Sequence, residues 1–164
     1  MTRRPFSQQE QTLIKRGCFL TAAFIFGLIL PSHFTVTSTR SMNHRVYFLD
    51  RSVEPEQLIR DAHILFKMRS GYLPQKEALA VKRISCEAGD RLTVAENNYF
   101  CNGALLGTAK LFTASGKKII PFVFNGVIPA HRFFIQGDHP DSLDSRYIGL
   151  IRRLDIEAIA HPIF

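Results

Sequence analysis

Ser41 and Lys82 are the two residues whose types and settings could together break a peptide bond. Ser41 lies in Ser38-Thr39-Arg40-Ser41-Met42, just after the long uncharged apolar stretch of the chain. A serine hydroxyl attacks a carbonyl only when a base removes its proton. Histidine is the usual base, but His33, His44, His63, His131, His139 and His161 are scattered, with neither metal-ligand spacing nor a catalytic motif. Each is expected to be structural. Lysine can serve instead when it is neutral: its free pKa is about 10.4, and an apolar setting can bring it down to roughly 7 or 8. Lys82 follows Ala78-Leu79-Ala80-Val81 and precedes Ile84, a setting that the Lys117-Lys118 pair lacks. Residues 137–149, GDHPDSLDSRYIG, form a third candidate segment, polar and loop-like.

These residues need an anchor and a frame. Residues 1–16 contain Arg3, Arg4, Lys15 and Arg16 and read as a short cytoplasmic tail. Residues 17–36, GCFLTAAFIFGLILPSHFTV, contain no Asp, Glu, Lys or Arg and approach the roughly 20 residues of a bilayer-spanning helix. Pro31 stands where that helix could end or kink. A basic tail before the span is held inside, so residues 37–164 are expected outside the cytoplasm, as a periplasmic domain on a bacterial inner membrane. A cleaved leader shares the basic start and apolar core, but Thr35-Val36-Thr37 offers no small-x-small cleavage site, so a retained anchor is expected.

Beyond Ser41 the pattern shifts to short strands at 46–49, 63–66, 78–84, 91–94, 99–101, 119–124, 132–135, 147–151 and 156–159. Residues 53–58 suit a loop or a single helical turn, and 70–74 a loop. Turns are expected at 96–98, Asn102-Gly103 and Asn125-Gly126. The expected fold is mainly β: one N-terminal transmembrane helix, then a compact, coiled antiparallel β-sheet domain. A length of 164 residues leaves room for one such domain. The formal charge of +7 does not imply nucleic acid, because the basic residues beyond the tail are interleaved with acids. Cys86 and Cys101 could form a disulfide in an oxidising compartment, with two unpaired thiols as the alternative.

Ser41-Met42, then Lys82-Arg83 with Gly89-Asp90, then Gly137-Asp138 leading to Ser142-Leu143-Asp144-Ser145-Arg146, resembles the ordered motifs of type I signal peptidases. Small size, the Cys-x-x-Gly-Asp and Tyr-Phe-Cys-Asn-Gly elements, and a site loop one residue shorter than usual resemble most closely the TraF-type peptidases of conjugative transfer. The resemblance implies a signal-peptidase-type β fold and a serine endopeptidase without metal or organic cofactor. It makes Ser41 the acyl-forming nucleophile and Lys82 its general base. The Ser41 amide and the Thr39 hydroxyl would supply the oxyanion hole, Ser142 would hydrogen-bond and orient the lysine, and Asp144 with Arg146 would brace the site. Asn43 and Arg45 stand where the TraF-type pattern often has proline and glycine, Tyr47 keeps an aromatic position, and Ala88 replaces a proline. The implied partner is a membrane-inserted precursor, such as a propilin of a type IV secretion apparatus, bound as an added strand. The rivals are a general signal peptidase for exported proteins, a self-cleaving Ser-Lys repressor domain, and a non-catalytic membrane-tethered scaffold for pilus assembly.

Overall fold

The computed structural model describes residues 8–113 and 115–164; in the first helix, the side chains at 10, 22, 23, 25, 26 and 28–31 are outside that description. Of the expected tail, residues 1–7 with Arg3 and Arg4 lie outside the described residues. The helix α1 spans Gln8–His33, and strand β1, Phe34–Val36, follows it directly. Both ends of the segment expected at 17–36 therefore differ. Gln, Leu and Lys before residue 17 are good helix formers and extend the helix backwards. At the other end Phe34, Thr35 and Val36 are strand-favouring and join a ladder opposite Phe48, Tyr47 and Val46. Arg51 Nε donates to the Ser32 carbonyl at 3.2 Å, fastening the helix end to the sheet. Among the described residues, no helix is long and apolar enough to cross a membrane.

The remainder is mainly β structure, as expected. Its strands are β2 (Val46–Asp50), β3 (His63–Arg69), β4 (Glu77–Cys86), β5 (Arg91–Ala95), β6 (Asn98–Cys101), β7 (Ala104–Thr108), β8 (Gly126–Val127), β9 (Arg132–Gln136), β10 (Ile151–Arg152) and β11 (Ile156–Pro162). One sheet has the order β1-β2-β11-β3-β4-β9-β10, and a smaller one the order β7-β6-β5-β8. All the pairings are antiparallel. Strand β3 buries both faces. Ile64, Phe66 and Met68 join one core cluster with Ile84 and Ile135, and Leu65 joins another with Met42, Tyr47, Leu49 and Val81. A third cluster, around Tyr99, Leu92 and Phe134, connects the two sheets.

The hairpins obey their turn residues. Glu96 and Asn97 both have positive φ between β5 and β6, as do Asn102 and Gly103 between β6 and β7. Asn125-Gly126 does not turn a hairpin. The Asn125 side chain accepts from the Val94 amide, and Gly126 pairs with Leu92. Residues 119–124 belong to no strand, because their polar groups are used individually: the Ile120 amide donates to the Tyr72 hydroxyl, and the Phe122 amide donates to the Arg146 carbonyl. The strand expected at 147–151 is replaced by the short helix α2, Ser145–Ile148, capped by the Asp144 side chain, followed by two residues of β10. Cys86 and Cys101 are disulfide-bonded. They link the end of β4 in the large sheet to β6 in the small one.

Candidate active site

Strand β4 sets the site. Along it Ala80, Lys82 and Ile84 alternate onto one face, and both Ala80 and Ile84 pack with the first apolar cluster. Lys82 is drawn in with them and is 3% exposed. Burial pushes its pKa from 10.5 down to about 8, a fall only partly offset by the charges of Asp144 and Asp138 and reinforced by Arg146. Its Nζ lies 2.7 Å from the Ser41 Oγ. A neutral amine at that distance can accept the serine proton, and the resulting ammonium can deliver a proton to a leaving amine.

The turn carrying Ser41 is seated from below and strapped from one side. Met42 is buried beneath it against Val81, Leu65 and Tyr47. Three consecutive residues after β9 supply the strap. The Gly137 amide donates to Asp144 Oδ2 at 3.1 Å, the Asp138 carboxylate accepts from the Asn43 amide at 2.9 Å, and the His139 amide donates to the Ser41 carbonyl at 3.2 Å. A Cβ on Gly137 would meet Ser142 Oγ and the Ser41 carbonyl oxygen well inside contact distance, so only glycine permits this approach. The Thr39 hydroxyl is 3.1 Å from Ser41 Oγ, within reach of charge developing on a carbonyl attacked there.

Asp144 and Arg146 form a buried, two-pronged ion pair. Arg146 Nε and Nη2 donate to Oδ1 and Oδ2 at 2.9 and 2.8 Å, and Nη1 donates to the Thr108 carbonyl at 3.0 Å. The pair fastens α2, the strap and β7 together. Ser142 departs from its expected contact. It is 2% exposed and lines the same groove as Lys82, but its hydroxyl makes no hydrogen bond among the described residues. Its amide closes a turn onto the His139 carbonyl, and its side chain is packed against Gly137. Asp138 was not assigned a role from the sequence. Its place beside Gly137 in the motif is the available signal, and its side chain reaches across to the nucleophile's turn, where the His139 backbone also bonds.

The groove at Ser41 has a volume of about 530 Å³ and runs between the β1 edge and β4. Residues 77–82 of β4 pair with β3 on one side, whereas β9 begins to pair only at Arg83. The other edge of 77–82 has no strand partner among the described residues, so an extended peptide could hydrogen-bond there. Lining by Leu65, Met68, Leu73, Leu79, Val81 and Leu143 makes its walls apolar.

A family model described as signal peptidase, peptidase S26, matches residues 10–164. A conjugal transfer protein TraF of Agrobacterium fabrum is 27% identical over 160 residues, covering 90% of this chain and 90% of that one. A second conjugal transfer protein TraF, of Agrobacterium tumefaciens strain 15955, is 22% identical over 104 residues, which is 63% of this chain and 59% of that one. Among solved structures, a signal peptidase I of Enterococcus faecalis V583 is 20% identical, with a TM-score of 0.40, covering 65% of this chain and 97% of that chain.

Proposed function

Since the chain belongs to the signal peptidase family, peptidase S26, we propose that it is a membrane-anchored serine endopeptidase in which Ser41 is the nucleophile and Lys82 the general base. The observation that carries this reading is the 2.7 Å approach of a buried lysine, with a pKa lowered to about 8, to a serine hydroxyl at the end of an apolar groove. Lys82 takes the Ser41 proton as Oγ attacks the scissile carbonyl, and Thr39 with the Ser41 amide faces the developing oxyanion. The Lys82 ammonium then protonates the leaving amine. Water, deprotonated by Lys82, releases the acyl group from Ser41. Ser142 bounds the site at Lys82, and the Asp144–Arg146 pair braces it.

The substrate is a precursor bearing a signal peptide, bound as an extra strand along the open edge of β4. Residues 17–32 are uncharged, which supports anchoring through α1, with residues 1–16 cytoplasmic and the catalytic domain periplasmic. A nucleophile so close to the anchor suits a cut just outside another chain's apolar segment. The similarity to two conjugal transfer proteins supports a role in conjugation over general leader removal; a propilin is the proposed precursor. The test is co-expression with a candidate propilin, followed by intact-mass analysis. Wild type is expected to shorten the precursor, whereas Ser41→Ala and Lys82→Ala leave it whole. Full processing by Lys82→Ala would remove the dyad. Processing of unrelated leader peptides instead would favour the general peptidase.

A further inference from the structure

A second cavity, of about 260 Å³, adjoins the groove and shares Asp141, Ser142 and Leu143 with it. Its walls are Tyr72, Phe112, Ile119, Leu143 and Tyr147. Two of them are held by hydrogen bonds that leave the rings as lining. The Tyr72 hydroxyl accepts from the Ile120 amide at 3.1 Å, and the Tyr147 hydroxyl accepts from the Lys110 amide at 2.9 Å. The hairpin carrying Phe112 is closed by the Ile119 amide on the Leu111 carbonyl and by the Thr113 amide on the Lys117 carbonyl, and Lys110 pairs with Asp141 on the rim. Ile119 is buried, but Phe112 is 58% exposed, an aromatic ring left open to solvent at the cavity. The volume lies below the roughly 300–1,000 Å³ of a small-molecule site and suits one large side chain.

We propose that this cavity is a subsite for one bulky apolar or aromatic side chain of the precursor whose backbone lies along β4. The inference rests on the peptidase reading for the identity of the occupant. What identifies that occupant is continuity: Leu143 and the buried Ser142 are walls of both spaces, and Leu73, at the end of the groove, is next to Tyr72. A peptide paired with β4 advances about 3.3 Å per residue with side chains alternating between faces, so one side chain on the cavity's side of the strand is placed to enter between Tyr72 and Phe112. The Lys110–Asp141 pair fixes the rim without placing a net charge in the cavity. This subsite makes selection depend on a second, larger residue away from the cut.

The test uses the full chain in detergent micelles and extended synthetic peptides of alanine and lysine, each with one p-benzoylphenylalanine moved position by position. Photo-crosslinks to the Ser41→Ala protein are mapped by mass spectrometry, and cleavage of the same peptides is followed with wild type. One label position, or two neighbouring ones, is expected to crosslink to the segments containing Tyr72 and Phe112. Thr113→Trp, which fills the cavity from its exposed hairpin, is expected to lower that yield by at least about fivefold, as is Phe112→Ala. Crosslinks spread over other surfaces, or a yield unmoved by Thr113→Trp, would overturn the subsite. Cleavage without crosslinks in the cavity sinks the subsite alone; crosslinks in the cavity without cleavage sink the peptidase reading and leave the subsite standing.

Discussion

Lys82 and Arg146 are buried to nearly the same degree, 3% and 4% exposed, but the protein treats their charges in opposite ways. Burial alone pushes both pKa values down. For Arg146 the hydrogen bonds and charge of Asp144 outweigh that push and hold its pKa above the ordinary value, and the Thr108 carbonyl takes a further N–H. Lys82 has no carboxylate at ion-pair distance among the described residues, and its Nζ bonds a hydroxyl. Its pKa therefore falls to about 8. A saturated cation is a brace, whereas a cation deprived of partners is half-way to being a base.

The largest way to break this contrast is to remove the base. Lys82→Ala is expected to lower precursor cleavage by at least about 10³-fold while leaving the fold intact, read by single-turnover kinetics beside a circular dichroism melt. On the other side, Asp144→Asn leaves the Arg146 charge buried without its partner. The expected loss is about 3–5 kcal/mol of stability, measured by denaturant unfolding, with weakened activity. An Asp144→Leu/Arg146→Met double variant should lose less than Asp144→Asn, because it removes the stranded charge.

Gly137→Ala tests the strap rather than either cation. Displacing Ser41 through the clash with its carbonyl is expected to cost about 10²-fold in rate, with a smaller effect on stability. The smallest effect is the energetic cost of the buried lysine. Unfolded, Lys82 keeps its proton up to about 10.5; folded, it loses it near 8. Between those values the unfolded chain binds more protons, so stability rises with pH and the penalty is fully present below 8. Lys82→Met is therefore expected to raise stability at pH 7 by on the order of 2–3 kcal/mol, with the gain shrinking between pH 8 and 10.5 and gone above it. Equal gains at pH 7 and pH 11 would show that burial does not lower the lysine's pKa.

The sequence makes the strands around the site legible because β3 and β4 contain apolar runs at 64–66 and 78–81, and makes the hairpins legible because Asn97, Asn102 and Gly103 tolerate positive φ. It fails where side chains replace backbone pairing. The apolar residues 119–124 look like a strand, yet their amides go to Tyr72 and to the Arg146 carbonyl. Tyr147 and Ile148 also suit a strand, but Asp144 caps the helical turn that contains them. The site is legible as ordered motifs, and the apolar neighbours of Lys82 indicate its burial. The orientation of Ser142 is not legible, because it depends on how closely Gly137 packs, and neither is the reach of Asp138 to Asn43, which spans 95 positions of sequence. Strand β1 is hidden for a different reason: its residues are apolar enough to read as the end of the preceding helix.

The most direct test of the central claim is the titration of Lys82 itself. The full chain, labelled with ¹³Cε-lysine in detergent micelles, would be followed by NMR from pH 6 to 11.5, with the Lys82 signal assigned by its loss in Lys82→Met. A midpoint near 8, well below the ordinary lysine value of 10.5, is the predicted result. A midpoint near the ordinary 10.5 would contradict it, because the neutral fraction able to take the proton of Ser41 would then be roughly several hundredfold smaller at neutral pH.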